Sequence, residues 1–576
     1  MTRVAMLVLA ALSAASAAQA GTATVAWDSN PEPDIAGYFV SYGTSAGSYL
    51  YRFDAGPRTQ FKFSGLPEGT TFYFTVQAYN QAGLVSPRSA EVSVRLSGSA
   101  PTDSDGDGMS DAFEALYHIS SASADDDGDG ISNLIEYHLG TDPTLANSLQ
   151  LAEGATGFFT ERIALANAGS TPAEVSVTYL RDSGAPPLVV DYTVPAQGRY
   201  TVNVNAEPGL ASTAVSSVVN VRKGGVVAER TMSWQSGAQA GAHTAKAATS
   251  PSTTWYFAEG NAGFFDTWFL VSNSNATASN ITMTFLREDG QTVSRGYTVA
   301  ANSRFSLLAN AIPELAGQGF STTVSSSLPV GAERAMYFGK PTWDGGHGTA
   351  GTTGASTNWF IAEGRTGPFF DMWVLFSNPN SQNVTASVDY LLPGGGVINR
   401  AYSLPPTSRV TIHVDDVAGL TDTDVSASIS ATAPIIVERA MYWPGGAGEW
   451  TEAHDSFALK QLGTEWLLAE GEYGGGQGYS TYVLLANPGT SSATVTLRFL
   501  RENGLAPIET TRVVAPKSRT TVSAIELATT AGLGSGEKFG VYVVSTTPIA
   551  VERSMYWNGG GRFWGSGTNE VGVRIR

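Results

Sequence analysis

Apolar residues along this chain recur mostly at every second position, in short runs such as Thr24-Val25-Ala26-Trp27, Tyr38 to Tyr42, Phe72 to Ala78, Val388 to Leu391 and Ile435 to Arg439. A period of two in segments this short predicts half-buried antiparallel strands, and clusters such as Pro393-Gly394-Gly395-Gly396 supply the turns between them. Three segments break the pattern. Arg3 precedes an apolar run from Val4 to Leu12 and a small-residue stretch ending Ala18-Gln19-Ala20, which predicts a signal peptide over 1–20, too short to remain as a membrane span. The other two carry apolar residues at helical spacing: Phe113, Leu116 and Tyr117 in 111–118, and Leu134, Ile135, Tyr137 and Leu139 in 133–139. The expectation is an all-β multidomain protein with one small helix-bearing module.

Length and charge narrow this further. A chain of 576 residues exceeds what one core can hold and calls for several domains. Lys and Arg number 33 against 51 Asp and Glu, and loss of Arg3 with the leader takes the net charge from −18 to 32 − 51 = −19. Such a surface repels nucleic acid and anionic lipid, so neither is expected as a partner. No transmembrane segment is expected either. There is no cysteine, so no disulfide is available; apolar cores and bound metal must hold the domains together. The C-terminal Val573-Arg574-Ile575-Arg576 has neither an apolar tail nor a prenylation box.

The acidity is not evenly spread. Between Asp103 and Asp142 there are 11 carboxylates and no Lys or Arg, a crowding that either a solvated acidic tail or a divalent cation relieves, and spacing decides between them. Asp103, Asp105, Asp107, Asp111 and Glu114 occupy positions 1, 3, 5, 9 and 12 of a calcium loop, with Gly108 at the turn and Met109 offering its carbonyl. Asp125, Asp127, Asp129, Ile131, Asn133 and Glu136 repeat the scheme around Gly130. Ca2+, a hard ion that takes six to eight oxygens, is the cofactor this chemistry predicts. No entering helix precedes either loop, and the second unit ends Gly140-Thr141-Asp142-Pro143. In these respects the segment resembles the thrombospondin type 3 repeats of bacterial surface proteins. A dockerin is the neighbouring resemblance, which Glu114, Glu136 and that ending argue against. His118 and His138 recur at matching helix positions and read as surface or core-edge residues.

Residues 22–96 show a run of landmarks: Trp27, Tyr38, Tyr42, Leu66-Pro67-Glu68-Gly69-Thr70 leading to Phe72–Ala78, then Asn80, Gly83 and Ser86. Their order resembles a fibronectin type III domain, which implies a β-sandwich with a spacer or binding role. Phe72 stands where that family usually has a tyrosine, so the corner hydrogen bond should be missing. No Arg-Gly-Asp occurs. Gly43-Thr44-Ser45-Ala46-Gly47 matches a nucleophile elbow but lies between two strand-like runs, with no histidine nearer than His118; it is expected to be a hairpin loop.

The rest of the chain repeats. Ala-Glu-Gly recurs with Glu153, Glu259, Glu363 and Glu470. Arg199, Arg304, Arg409 and Arg519 follow, and then Glu229-Arg230, Glu333-Arg334, Glu438-Arg439 and Glu552-Arg553, each two residues before a Met. The period of about 105 residues is domain-sized, and the internal pattern predicts a sandwich of about seven strands per copy. The predicted boundaries are 21–98, 99–147, 148–251, 252–356, 357–462 and 463–576. His243, His347 and His454 follow the Glu-Arg pairs, with Asn569 in the comparable region of the last copy. The pattern W-x-x-AEG through ER-x-M-Y-W resembles tandem domains of unassigned function in bacterial exported proteins. Arg439 alternates onto the face of Val437, Met441 and Trp443 and so needs a carboxylate partner; Glu438 points away, which leaves Glu363. Two carboxylates per copy meet the minimum for a glycosidase pair, but four equal copies favour a structural ion pair. Trp373, Trp443 and Trp450 are the candidate sugar-binding aromatics, against a core role. The functional expectation is a secreted or cell-surface, calcium-binding structural or adhesive protein and not an enzyme. Its partners would be extracellular protein or polysaccharide; the alternative is a carbohydrate-binding array or an accessory to a glycoside hydrolase.

Overall fold

The computed structural model describes residues 21–575 except 33, 50, 67–68, 81–83, 97–101, 130, 140, 183–184, 340–342, 445–448 and 503. The expected signal peptide lies outside the described residues. The chain divides into two compact units, one of residues 1–147 with 221–225 and one of 148–220 with 226–576. Among the described residues no helix is long and apolar enough to cross a membrane.

In the first unit, β1 (Gly21–Ala26) pairs with β4 (Gln60–Leu66), and β2 (Ile35–Gly43) lies between β3 (Tyr51–Asp54) and β5 (Thr71–Asn80), with β6 (Val92–Arg95) outside β5. Alternation along β2 and β5 sends Tyr38, Val40, Tyr42, Phe72, Phe74 and Val76 inward, where Trp27, Phe63 and Leu66 meet them. Phe72 is fully buried, and carrying no hydroxyl it contributes packing alone. The Gly43–Gly47 segment opens the connection from β2 to β3, turned by a Ser48 N–H to Ser45 carbonyl bond of 3.1 Å. It is a hairpin loop, with neither the strand-to-helix turn nor the histidine that an elbow requires. Beyond these strands come α1 (Asp111–Tyr117) and α2 (Asn133–Leu139).

The second unit holds the four copies. In the third, Val397–Leu404, Val384–Leu391, the first half of Ser426–Trp443 and Ser356–Ile361 form one antiparallel sheet. Ser408–His413, Asp371–Asn378, the second half of Ser426–Trp443 and Glu452–Phe457 form the facing sheet. One long strand thus serves both layers of a sandwich. The tryptophan before Ala-Glu-Gly is core in the copies that have it: Trp255, Trp359 and Trp466 are buried and donate to the Val330, Ile435 and Gly463 carbonyls. An asparagine closes each copy. Asn167, Asn273, Asn378 and Asn487 each donate to carbonyls on two different loops.

The recurring Glu and Arg residues hold one copy to the next. Arg230 pairs with Glu333 at 2.5 Å, Arg334 with Glu438 at 2.6 Å and Arg439 with Glu552 at 3.3 Å. Arg553 then pairs with Glu229 of the first copy at 2.6 Å. The cycle is closed: four sandwiches form a ring. The final strands of the copies, Gln239–Lys246, Gly345–Ala350, Glu452–Phe457 and Arg562–Val571, adjoin one another in the same cyclic order. Each of these glutamates also accepts the backbone N–H of the Ala-Glu-Gly alanine one copy back, Ala152, Ala258, Ala362 or Ala469, at 2.6–2.7 Å. The second arginine set does the same job on the neighbouring carbonyl: Arg304, Arg409, Arg519 and Arg199 donate to Gly154, Gly260, Gly364 and Gly471. Those glycines allow no side chain, since a Cβ on Gly154 would stand 2.4 Å from the Val215 carbonyl.

Arg439 does reach Glu363 of its own copy, at 3.1 Å, as alternation predicts, and shares itself with Glu552. Glu438 does point away from Arg439, toward Arg334 of the preceding copy. Three tyrosines complete the seams: Tyr337, Tyr442 and Tyr556 donate to Glu153, Glu259 and Glu363 and sit 2.9–3.2 Å from His243, His347 and His454. The fourth seam differs. Strand register sets Thr568, not Asn569, opposite Met555, where the other copies place their histidine opposite Met232, Met336 and Met441. Asn569 lies in the comparable region but one residue further on, opposite Ser554.

Burial without a partner singles out Glu161. Neither carboxylate oxygen has a hydrogen-bond partner, and burial holds its pKa up at about 8, against the opposing pull of Arg230 and Arg304. The third copy carries Met372 at that register position.

Two predictions follow from the ring. Arg439→Ala in the full chain should lower stability by roughly 3 to 5 kcal/mol, because it strands buried Glu363 and Glu552; denaturant melts check this, and a loss below about 1 kcal/mol would mark an exposed-type pair. Glu161 holds a proton in the folded state that the unfolded chain releases near pH 4.5, so its contribution is intact below that pH and is lost as pH rises through about 8. Glu161→Met should therefore gain stability relative to wild type as pH rises across that window, as thermal melts across the range will report.

Candidate metal centre

The first loop winds tightly because its own carboxylates accept its backbone N–H groups. Asp103 takes Gly106 at 2.8 Å and Gly108 at 3.1 Å, and Asp107 takes Met109 at 2.9 Å. Gly108 turns at φ 99°, a conformation that side chains resist. The winding brings oxygens of Asp103, Asp105 and Asp107 within 4.8 Å of one another. Met109 buries its side chain completely, leaving its backbone as what the loop can use. Ser110 then caps α1 by accepting from Phe113 N–H. Glu114, in the first turn of that helix, has its pKa raised by desolvation and by Asp105, Asp107, Asp111 and Asp103, so its carboxylate lies in the field of the loop. Asp111 is the exception. Its oxygens accept from Ser104 N–H at 2.8 Å and Ser104 Oγ at 2.7 Å, which suits the water-mediated role usual at position 9.

The second loop gathers Asp125, Asp127 and Asp129 in the same way, with Ile131 N–H held by Asp129 at 2.8 Å. Gly130 lies outside the described residues. This loop is more deeply buried, and three of its oxygens, Asp127 Oδ2, Asn133 Oδ1 and Glu136 Oε2, have no hydrogen-bond partner. Asn133 spends its amide N–H groups on the Ser121 carbonyl and Asp126, which leaves Oδ1 as the acceptor. Burial, with Asp129 next, pushes Asp127 up to about 8; burial, with Asp127 and Asp129 next, pushes Glu136 up to about 10. Buried oxygens without donors are costly, and a hard divalent cation is what such a set accepts. The residues fit calcium: Asp103, Asp105, Asp107 and Glu114 would hold one ion, and Asp125, Asp127, Asp129, Asn133 and Glu136 a second.

Two residues outside the loop pattern support the second site. Asn147 Nδ2 donates to Glu136 Oε1 at 2.7 Å, its backbone N–H donates to Asp129 at 2.7 Å, and Thr141 Oγ1 approaches Glu136 at 3.5 Å. The Gly-Thr-Asp-Pro ending of the second unit held the signal for Thr141; no spacing rule points to Asn147. The helices share a small core as expected, through Phe113 against Tyr117 and Tyr137 at 4.8 and 4.9 Å, but Leu116 is 62% exposed. His118 ends α1 in a left-handed conformation and is a cap; the His138 side chain lies outside the described residues.

The other candidate chemistry is absorbed by the ring. Glu363 and Glu438 are buried in ion pairs with Arg439 and Arg334. Trp443 is core, whereas Trp373 and Trp450 are only half-buried.

Comparisons with known proteins agree with the modules. The Fibronectin type III domain family matches residues 11–95, and the Bacterial TSP3 repeat family matches 103–118 and 125–146. The chain therefore contains a fibronectin type III domain and bacterial thrombospondin type 3 repeats, within an all-β protein of repeated sandwich-like domains. No curated protein matches. Among solved structures, a Thermotoga maritima protein aligns at 10% identity over 18% of this chain and 94% of its own, with a TM-score of 0.17. The sixth fibronectin type III domain of human fibronectin type III domain containing protein 3 aligns at 26% identity over 15% and 84%, TM-score 0.13. A tetra-tandem repeat from the extending region of a large adhesion protein aligns at 12% identity over 77% and 96%, TM-score 0.10. At these scores none of them bears on how the four copies are arranged.

Glu136→Gln removes a charged oxygen from the second loop and should weaken calcium binding there by roughly tenfold or more, since affinity in such loops follows ligand charge. The first loop should keep its affinity. Calorimetric titration of the full chain separates the two.

Proposed function

We propose that this is an extracellular or cell-surface structural protein that binds calcium and acts by adhesion, without catalysing a reaction. The observation that carries the reading is the set of buried, unpartnered oxygens of Asp127, Asn133 and Glu136 in the second loop, which calcium would satisfy. Export is consistent with the leader-like residues 1–20. The closed ring supports presentation over turnover, because its recurring Glu and Arg residues are spent in seams between copies. Calcium would stiffen the acidic module, and the partner would be an extracellular protein or polysaccharide.

Carbohydrate binding is the more specific version of this reading, favoured by exposed aromatics on the ring. Phe264 is 55% exposed beside Trp450, and Phe158 is 46% exposed beside Trp343, and flat aromatic faces suit sugar rings. The deciding experiment exposes the labelled full chain to whole cells and to a glycan array, in calcium and in chelator. Retention that requires calcium is expected. Release of reducing sugar or peptide from a polysaccharide and protein panel, abolished in Glu363→Gln while its thermal melt is unchanged, would overturn the non-catalytic reading.

A further inference from the structure

One side-chain group occurs in the third copy alone. Asp371 opens the Asp371–Asn378 strand, and the neighbouring Ser408–His413 strand ends on His413, directly opposite Trp373. A 3-10 turn over Val414–Asp416 then swings Asp415 back toward both. His413 Nε2 lies 3.8 Å from Asp371 Oδ1 and 3.6 Å from Asp415 Oδ2, and the ligand atoms of all three residues are mutually within 4.8 Å. We propose that Asp371, His413 and Asp415 form a binding site for a zinc-type divalent transition metal, separate from the calcium loops.

The imidazole is prepared for a metal. His413 Nδ1 lies 3.1 Å from Asp416 Oδ2, a carboxylate placed to accept a proton from Nδ1 and leave Nε2 facing Asp371 and Asp415, the usual outer support of a metal-bound histidine. Nε2 itself is buried and has no hydrogen-bond partner. Trp373 stacks on the ring at 4.3 Å and 24°, fixing its plane. The carboxylates are held from behind as well. Asp415 accepts Gly367 N–H on Oδ1 and Met372 N–H on Oδ2, and Asp371 Oδ2 accepts Trp450 Nε1–H. Two ligands each about 2.1 Å from a zinc ion stand ~3.4 Å apart at the tetrahedral angle, so the observed His413 separations of 3.6 and 3.8 Å need only a small contraction, while the two carboxylates, within 4.8 Å, close onto the ion by side-chain rotation. Two carboxylate oxygens and one imidazole nitrogen suit zinc or its first-row neighbours better than calcium.

The other copies show that the fold does not need these charges. In the second copy the matching positions are Asp266, Leu308 and Asn310, and Asn310 ties the turn by accepting from Thr267 N–H and donating to the Phe265 carbonyl. In the first copy Asn205 does the same for Glu161 and Phe159. A neutral amide therefore satisfies the turn, and the third copy replaces it with a carboxylate only where a histidine and a second carboxylate face it. The ring's other His–carboxylate cluster is different in kind: Glu259, His347 and Asp455 are already bridged by Arg334, which supplies the positive charge a metal would bring.

The test uses the full chain with its acidic loops saturated with calcium, titrated with zinc by calorimetry and checked by equilibrium dialysis. One zinc per chain is expected, and cobalt in its place should give ligand-field absorption. His413→Gln should weaken binding by about tenfold or more. Asp415→Asn, which restores the amide used in the first two copies, should do likewise with the thermal melt of the metal-free protein unchanged. No zinc uptake by the wild type, or uptake equal in wild type and both variants, would overturn the proposal and leave the calcium reading untouched.

Discussion

The second unit depends on one repeated contact, a buried glutamate that takes the arginine and a backbone N–H of the preceding copy. Glu333, Glu438, Glu552 and Glu229 each do this, and the last closes the chain of copies on the first. An isolated buried charge would be prohibitively costly. A glutamate with an arginine and an amide donor, facing an arginine with carboxylates from two copies, distributes that cost over the seam. Closure also removes a free end. In an open row, the first copy would leave Glu229 and the last would leave Arg553 buried or exposed without its partner.

That constraint explains why the same short motif does several jobs. The Ala of Ala-Glu-Gly gives its N–H, the Glu gives its carboxylate to the copy's own arginine or to a tyrosine of the next copy, and the Gly gives its carbonyl to the second arginine set. Each copy donates one side of a seam and accepts the other. The seam between the last and first copies is the imperfect one: Ser233 and Thr568 stand where the other seams have tyrosine and histidine, and Glu470 turns instead to Arg199 at 3.5 Å.

The acidic module follows a different logic. Its loops are wound by hydrogen bonds from carboxylates to their own backbone, which gathers negative charge faster than the protein can neutralise it. In the seams the compensating charge is built into the chain as arginine. The loops hold no Lys or Arg of their own, and burial weighs on Asp127 and Glu136 in the second loop, raising the pKa of both.

Local pattern was enough for much of this. Period-two alternation identified the strands, loop spacing picked out the two acidic loops whose Asp103, Asp105 and Asp107, and Asp125, Asp127 and Asp129, the fold gathers, and recurrence identified the Ala-Glu-Gly, Arg and Glu-Arg landmarks. Alternation even chose Glu363 for Arg439, because both lie in the same copy and the parity of one strand decides which way each side chain faces. Only the tertiary structure could decide what Glu438 and Arg409 do, since their partners lie one full copy away in sequence, and a pattern repeated identically in each copy carries no information about which copy it touches. The same holds for Asp371, His413 and Asp415. They are separated by about 40 residues of chain and match no spacing rule; strand register and a single 3-10 turn bring them together.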